Sequence, residues 1–355
     1  MGQYEKYICT TLEKQHLLPG PTPEQRKELA AQGRRLPLEH VHWIDEDVIP
    51  GAYYGETTWM WPADFPNQIS WDELARTGRR VPSLAPHAHN FPELLSWWSV
   101  DPDNPWDIDP MSMQIGDEVI PLTSSWVAYV PAGVFHMPVM TGENGPVMTR
   151  PTLHWTSGPG GVYTREHAKE SRADTTEAGG ETLEEAKHQG AEAAVPVEAK
   201  VVERETARYG RYLLYGNAAG VKRPNFLSPP DPEHCRPMVY IDETVIPDAE
   251  FGCDTRWYLP GDWSKAGHLV MDVHTEPHGT SIALVAYDYD NLTDLGAEAE
   301  LWIGGERYVI TKNFWAYIPP HVSQGPLVLT NVAKQLFFKI SYPVGEGVAK
   351  YPGGR

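Results

Sequence analysis

The chain is predicted to be all-β, a tandem pair of barrels or sandwiches, and three observations carry that expectation. Short apolar or aromatic runs recur between Pro, Gly, Asp and Asn, as in Ser125-Trp126-Val127-Ala128-Tyr129-Val130 and Gln335-Leu336-Phe337-Phe338-Lys339-Ile340. Two stretches of the chain repeat one another. No helical pattern separates successive strands, which rules out a βαβ arrangement.

The repeat is read from landmarks. Ile44-Asp45-Glu46-Asp47-Val48-Ile49-Pro50 returns as Ile241-Asp242-Glu243-Thr244-Val245-Ile246-Pro247, and Asp101-Pro102-Asp103-Asn104 as Asp288-Tyr289-Asp290-Asn291. Tyr129-Val130-Pro131 returns as Tyr317-Ile318-Pro319. These anchors divide the chain into an arm (1–38), a first barrel (39–160), a linker (161–235), a second barrel (236–343) and a tail (344–355). Within the arm, Thr22 precedes Pro23-Glu24-Gln25-Arg26-Lys27-Glu28-Leu29 as the cap of a short helix. The stretch Thr182-Leu183-Glu184-Glu185-Ala186-Lys187 marks the linker, rich in Glu, Ala and Lys.

Composition narrows the partners. A formal net charge of −19 and no basic run argue against nucleic acid and anionic lipid. No apolar stretch approaches membrane-spanning length, and the N-terminus lacks an apolar signal core, so a cytoplasmic location is expected. Cys9, Cys235 and Cys253 show neither metal-type nor disulfide-type spacing. Asn291-Leu292-Thr293 fits a glycosylation sequon but has no meaning in a cytoplasmic chain.

The chemistry concentrates in the first copy. His87, His89 and Glu93 share parity, and residues of one parity on a strand face one side. His136 arrives from a later strand. Three imidazoles and one carboxylate make a mixed shell for a divalent first-row metal, with positions left for water, dioxygen or a chelating substrate. The repeat pairs His87 with His274, His89 with Glu276, Glu93 with Thr280 and His136 with Gln324. The second copy keeps only His274 and Glu276 as plausible ligands, too few for a tight site, and reads as a metal-free structural barrel; the alternatives are a non-metal ligand pocket, or an irregular metal site drawing on the nearby His278 and His321.

The string His87-x-His89-x3-Glu93, followed by Pro131-x-Gly133-x2-His136, resembles the two motifs of the cupin superfamily, and the tandem copies resemble a bicupin. The resemblance spans most of 40–160 and 236–343. It implies two double-stranded β-helix (jelly-roll) barrels, with His87, His89, Glu93 and His136 as metal ligands. The first motif departs from the family where Trp97-Trp98-Ser99-Val100 replaces the usual glycine region.

Around the metal, His154 is the counterpart of Phe338 and reads either as an acid/base group or as a structural histidine. Arg150 reads either as a clamp for a substrate carboxylate or as a surface arginine. Trp59, Trp61, Trp97, Gln114 and Tyr129 are candidates for a substrate pocket, or for core. The leading expectation is an enzyme holding Fe2+, with Mn2+, Ni2+ or Zn2+ as alternatives, that cleaves a small, apolar or aromatic substrate as a dioxygenase. The alternative is a non-redox lyase, isomerase or decarboxylase with His154 moving the proton. A third is a non-catalytic binding or storage protein. A homodimer or larger homo-oligomer is expected from the resemblance.

Overall fold

The structure, a computed structural model, describes residues 2–18, 21–70, 73–74, 88–139, 148–160, 200–216, 221–261, 263, 267–351 and 353. His87 and residues 161–199 of the expected linker lie outside them. The fold is all-β, with two barrels in tandem, each made of one large and one small sheet.

The large sheet of the first barrel runs in the order Leu213–Leu214, Trp126–Val130, Glu93–Ser99, Thr152–Gly158, Tyr54–Met60, Leu38–Ile44. That of the second runs Ile8–Cys9, Phe314–Ile318, Thr280–Ala286, Leu336–Pro343, Phe251–Tyr258, Cys235–Ile241. The two orders match strand for strand, so the repeat read from sequence is a repeat of topology. The smaller sheets close each barrel, with Met111–Ile115 and Asp294–Ile303 as the corresponding inner strands.

Burial explains why the strands differ in composition. Every residue of Glu93–Ser99 and of Thr280–Ala286 is buried, because one face of each large sheet lines its own barrel and the other packs on the opposite barrel. Strands buried on both faces read as near-continuous apolar runs rather than alternating ones. Met111–Ile115 alternates buried and half-buried, because its sheet has one wet face.

Three edge strands come from outside the expected barrels. In the arm, Ile8–Cys9 pairs with Phe314–Ile318 of the second barrel. In the expected linker, Leu213–Leu214 pairs with Trp126–Val130 of the first barrel, and Lys200–Val201 with Glu118–Leu122. The first two of these edge strands follow a single 3-10 turn, Glu5–Tyr7 in one case and Gly210–Tyr212 in the other. The barrels thus exchange edge strands within one chain, each sealing an edge that would otherwise expose unpaired backbone groups. The helix Pro23–Ala31 carries the capping box of Thr22 and Gln25. Among the described residues, no helix is long and apolar enough to cross a membrane.

Candidate metal centre

Three side chains meet at one end of the first barrel. Glu93 opens its strand opposite Val130, and His136 opens Met137's strand opposite Ile115. His89 arrives on the preceding loop. Its carbonyl accepts the Gly133 N–H at 2.6 Å, which ties one motif to the other. Gly133 has φ +76°, a left-handed conformation that favours glycine, and no atom would crowd a Cβ there. The glycine in Pro131-x-Gly133 is therefore required by backbone conformation rather than by space.

The ligating atoms of His89, Glu93 and His136 all lie within 4.8 Å of one another. His136 Nδ1 faces the Val134 carbonyl at 2.9 Å and must carry a hydrogen there, while its Nε2 lies 2.7 Å from Glu93 Oε2. Nε2 is thus the ring nitrogen turned towards Glu93, where a metal ligand must point. The Thr156 hydroxyl donates to Glu93 Oε1 at 2.8 Å and holds the other oxygen. Burial opposes ionisation of Glu93, but His89 and His136 outweigh it and bring its carboxyl well below the usual range. Two imidazoles and an ionised carboxylate, each oriented by a further hydrogen bond or contact, fit a divalent first-row metal. The His89 ring is itself held by stacking on Phe91, with centroids 5.0 Å apart.

Register separates the remaining candidates into two groups. Trp97 lies opposite His154, on the same face as Glu93, and the two rings are 4.7 Å apart. Trp59, Trp61 and Tyr129 do not line this pocket. Glu93 pairs with Val130, so Tyr129 pairs with Leu94 and faces the other way, accepting the Glu250 N–H from the second barrel. Trp59 stacks on Trp257, and Trp61 packs on Tyr289, both also from the second barrel. Gln114 is displaced too. Its neighbours Met113 and Ile115 point inward, so by alternation Gln114 points out and donates to the Gly116 carbonyl. Arg150 pairs with Asp107 at the surface, its side chain 47% exposed, and is not a carboxylate clamp inside the barrel.

One inward row escaped the reading of the sequence. Glu56, on Tyr54–Met60, lies opposite Thr156, and Thr58 lies opposite His154. Glu56 Oε1 accepts from His40 Nε2 at 2.9 Å and from Thr58 at 3.1 Å, and Oε2 accepts from Tyr54 at 2.8 Å. Burial would raise its pKa, yet His40, His154 and Tyr54 hold it down at about 2. His154 Nε2 is buried and has no hydrogen-bond partner among the described residues. Burial lowers the pKa of this ring, against the pull of Glu56 and Glu93. The signal for this row was in the repeat: Glu56-Thr57-Thr58-Trp59 matches Asp254-Thr255-Arg256-Trp257.

No family model matches the chain, and no curated protein matches it. Solved structures similar to it include AerE from Microcystis aeruginosa, 10% identical, with 83% of this chain and 90% of that chain covered and a TM-score of 0.41. Oxalate decarboxylase from Lactobacillus farciminis is 11% identical over 85% of this chain and 80% of that one, with a TM-score of 0.41. Bacillus subtilis oxalate decarboxylase, described with Mn(II) centres, is 11% identical over 86% and 72%, with a TM-score of 0.43. Likeness at this level assigns no activity.

Proposed function

We propose that the first barrel is a divalent-metal enzyme that moves a proton on a small, largely apolar substrate, as a lyase, isomerase or decarboxylase does. The observation that carries this reading is the pairing of the His89, Glu93 and His136 cluster with a neutral buried imidazole, His154, on the same inner face. A metal held by these ligands, with His87 as the expected fourth, supplies positive charge to an oxygen of the substrate. His154 Nε2 takes or gives the proton. Glu56 stays ionised and holds positive charge favourably beside His154 during that transfer. Trp97, Leu95 and Met113 provide the apolar wall and exclude water. The mixed imidazole and carboxylate donors suit a divalent first-row metal such as manganese, iron, nickel or zinc.

Metal analysis and anaerobic turnover test the proposal together. One equivalent of metal per chain is expected, lost in His136→Ala, with substrate turnover persisting in the absence of oxygen. Turnover that stops without oxygen would restore the dioxygenase reading. No bound metal after reconstitution would leave the non-catalytic binding protein. Light scattering would check the expected homo-oligomer.

A further inference from the structure

One ligand of the candidate metal centre has no strand to aim it. Glu93 and His136 each open a strand, whereas His89 lies on the loop before Glu93, so packing must orient its ring. Two other rings do so. Phe91 lies along the His89 face, with centroids 5.0 Å apart and planes 8° from parallel, and His136 meets it at 5.4 Å and 62°. His89 Nε2 is 3.5 Å from Glu93 Oε2 and is therefore the nitrogen turned to the centre.

Phe91 in turn sits in a slot left by two glycines. A Cβ on Gly158 would come 2.8 Å from the Pro92 carbonyl oxygen and 2.9 Å from Phe91 Cε2, and one on Gly160 would come 2.1 Å from Phe91 Cε1. Neither glycine has a positive φ, so here space rather than backbone conformation requires them. Behind the ring, Phe91 belongs to one buried cluster with Trp43, Tyr54 and Leu18 of the arm, against which Tyr351 of the tail also packs.

The second barrel lacks both the slot and the ring that fills it. By register, Tyr342 stands where the first barrel has Gly158. His278, two residues before Thr280, stands where the first has Phe91, and it stacks on Tyr342 with centroids 5.7 Å apart. The residue matching His89 is Glu276, a carboxylate with no ring plane to hold.

We propose that Phe91 is the positioning residue of the metal centre: seated in the glycine slot, it fixes the plane of His89 and aims Nε2 at the ion. This rests on His89 being a ligand, and on no particular reaction.

Calorimetric titration of the metal-free full chain with MnCl2 and with ZnCl2, beside the thermal midpoint of the metal-free chain, tests it. Phe91→Leu keeps an apolar side chain but loses the flat face, and should weaken binding about ten- to a hundredfold. Gly160→Ala should also weaken it by displacing the ring, and should add little in the Phe91→Leu background, because it acts through that ring. Phe226→Leu removes the ring over His274 in the second barrel, and should lower the midpoint without changing the affinity. Unchanged affinity in Phe91→Leu, an equal loss in Phe226→Leu, or full additivity of the Phe91 and Gly160 variants would each overturn the positioning role. A wild-type chain that takes up neither ion would overturn the ligand assignment and the role with it. Should Phe91→Leu fail to fold, Gly160→Ala decides alone, since it keeps the ring.

Discussion

Matched strand for strand, the two barrels differ in what a metal site needs beyond a scaffold. Where Glu93 faces His136 at 2.7 Å, Thr280 faces Gln324, whose Nε2 donates to the Thr280 hydroxyl at 3.1 Å. The inter-strand link survives, but an ionised carboxylate and an imidazole have become a neutral pair with weak affinity for a cation. Thr156, which donates to Glu93, becomes Ile340, and His154 becomes Phe338, so polar groups are replaced by apolar ones. His274, counterpart of His87, is covered by the ring of Phe226, with centroids 3.8 Å apart and planes 2° from parallel. Two barrels with one strand order can therefore hold opposite chemistry, because side chains on the inner face change without disturbing the ladder of backbone hydrogen bonds.

The largest expected effect comes from removing the charge that distinguishes the first barrel. Glu93→Gln should release the metal and cut turnover by a factor of about a thousand or more, read by elemental analysis and steady-state rates. If metal stays at one equivalent, the difference drawn between Glu93 and Thr280 is wrong.

Importing the second barrel's residue at the proton-transfer position comes next. His154→Phe should lower kcat by about 10²–10⁴-fold while the metal content stays constant. Loss of metal along with activity would instead make His154 part of the binding shell.

The face between the barrels differs as well, and it titrates. His42 is buried near Trp315, where its counterpart in the second barrel is Val239. Burial lowers the His42 pKa from 6.5 to about 4. The folded chain thus keeps the ring neutral, whereas the unfolded chain protonates it below 6.5. Its contribution is fully present above pH 6.5 and is lost as pH falls from 6.5 towards 4, by about 3 kcal/mol in all. His42→Val should flatten that part of the stability profile in denaturant titrations. An unchanged slope would place the acid sensitivity elsewhere.

The smallest effect expected is at Lys339, counterpart of Trp155. Its Nζ lies 3.2 Å from the Trp155 ring centroid and 4.1 Å from that of Trp315, with no hydrogen-bond partner. Burial drives its pKa well below the ordinary value. Lys339→Met should leave the thermal midpoint unchanged or raise stability by about 1–2 kcal/mol. A fall of similar size would mean that the cation–π contacts outweigh desolvation.

Much of this was legible in the residues, and the exceptions have a common cause. The repeat, its landmarks and the capped helix after Thr22 are local patterns, and local patterns survive in one dimension. Glu93 and His136 could be paired because each belongs to a short string with a fixed turn, closed by Gly133. Trp59, Trp61 and Tyr129 read as pocket or as core, because aromatic residues suit a pocket and a sheet face equally well. Parity told two faces apart but not which one faced the barrel. Glu56 carries no such signal, since one acidic residue in a strand ordinarily points to solvent.

The amino-acid order alone determined the all-β class, the twofold repeat and the asymmetry between a copy rich in metal ligands and a copy without them. Those properties follow from side-chain periodicity and residue chemistry, which need no third dimension. The tertiary structure decided which side of each large sheet is the interior and where the arm and linker strands seal their edges. It also decided that Trp97 and His154 lie on the same inner face as Glu93. Strand register and the stacking of one barrel on the other bring together residues more than a hundred positions apart. No local pattern encodes which of two apolar faces will meet a neighbour and which will close around a site.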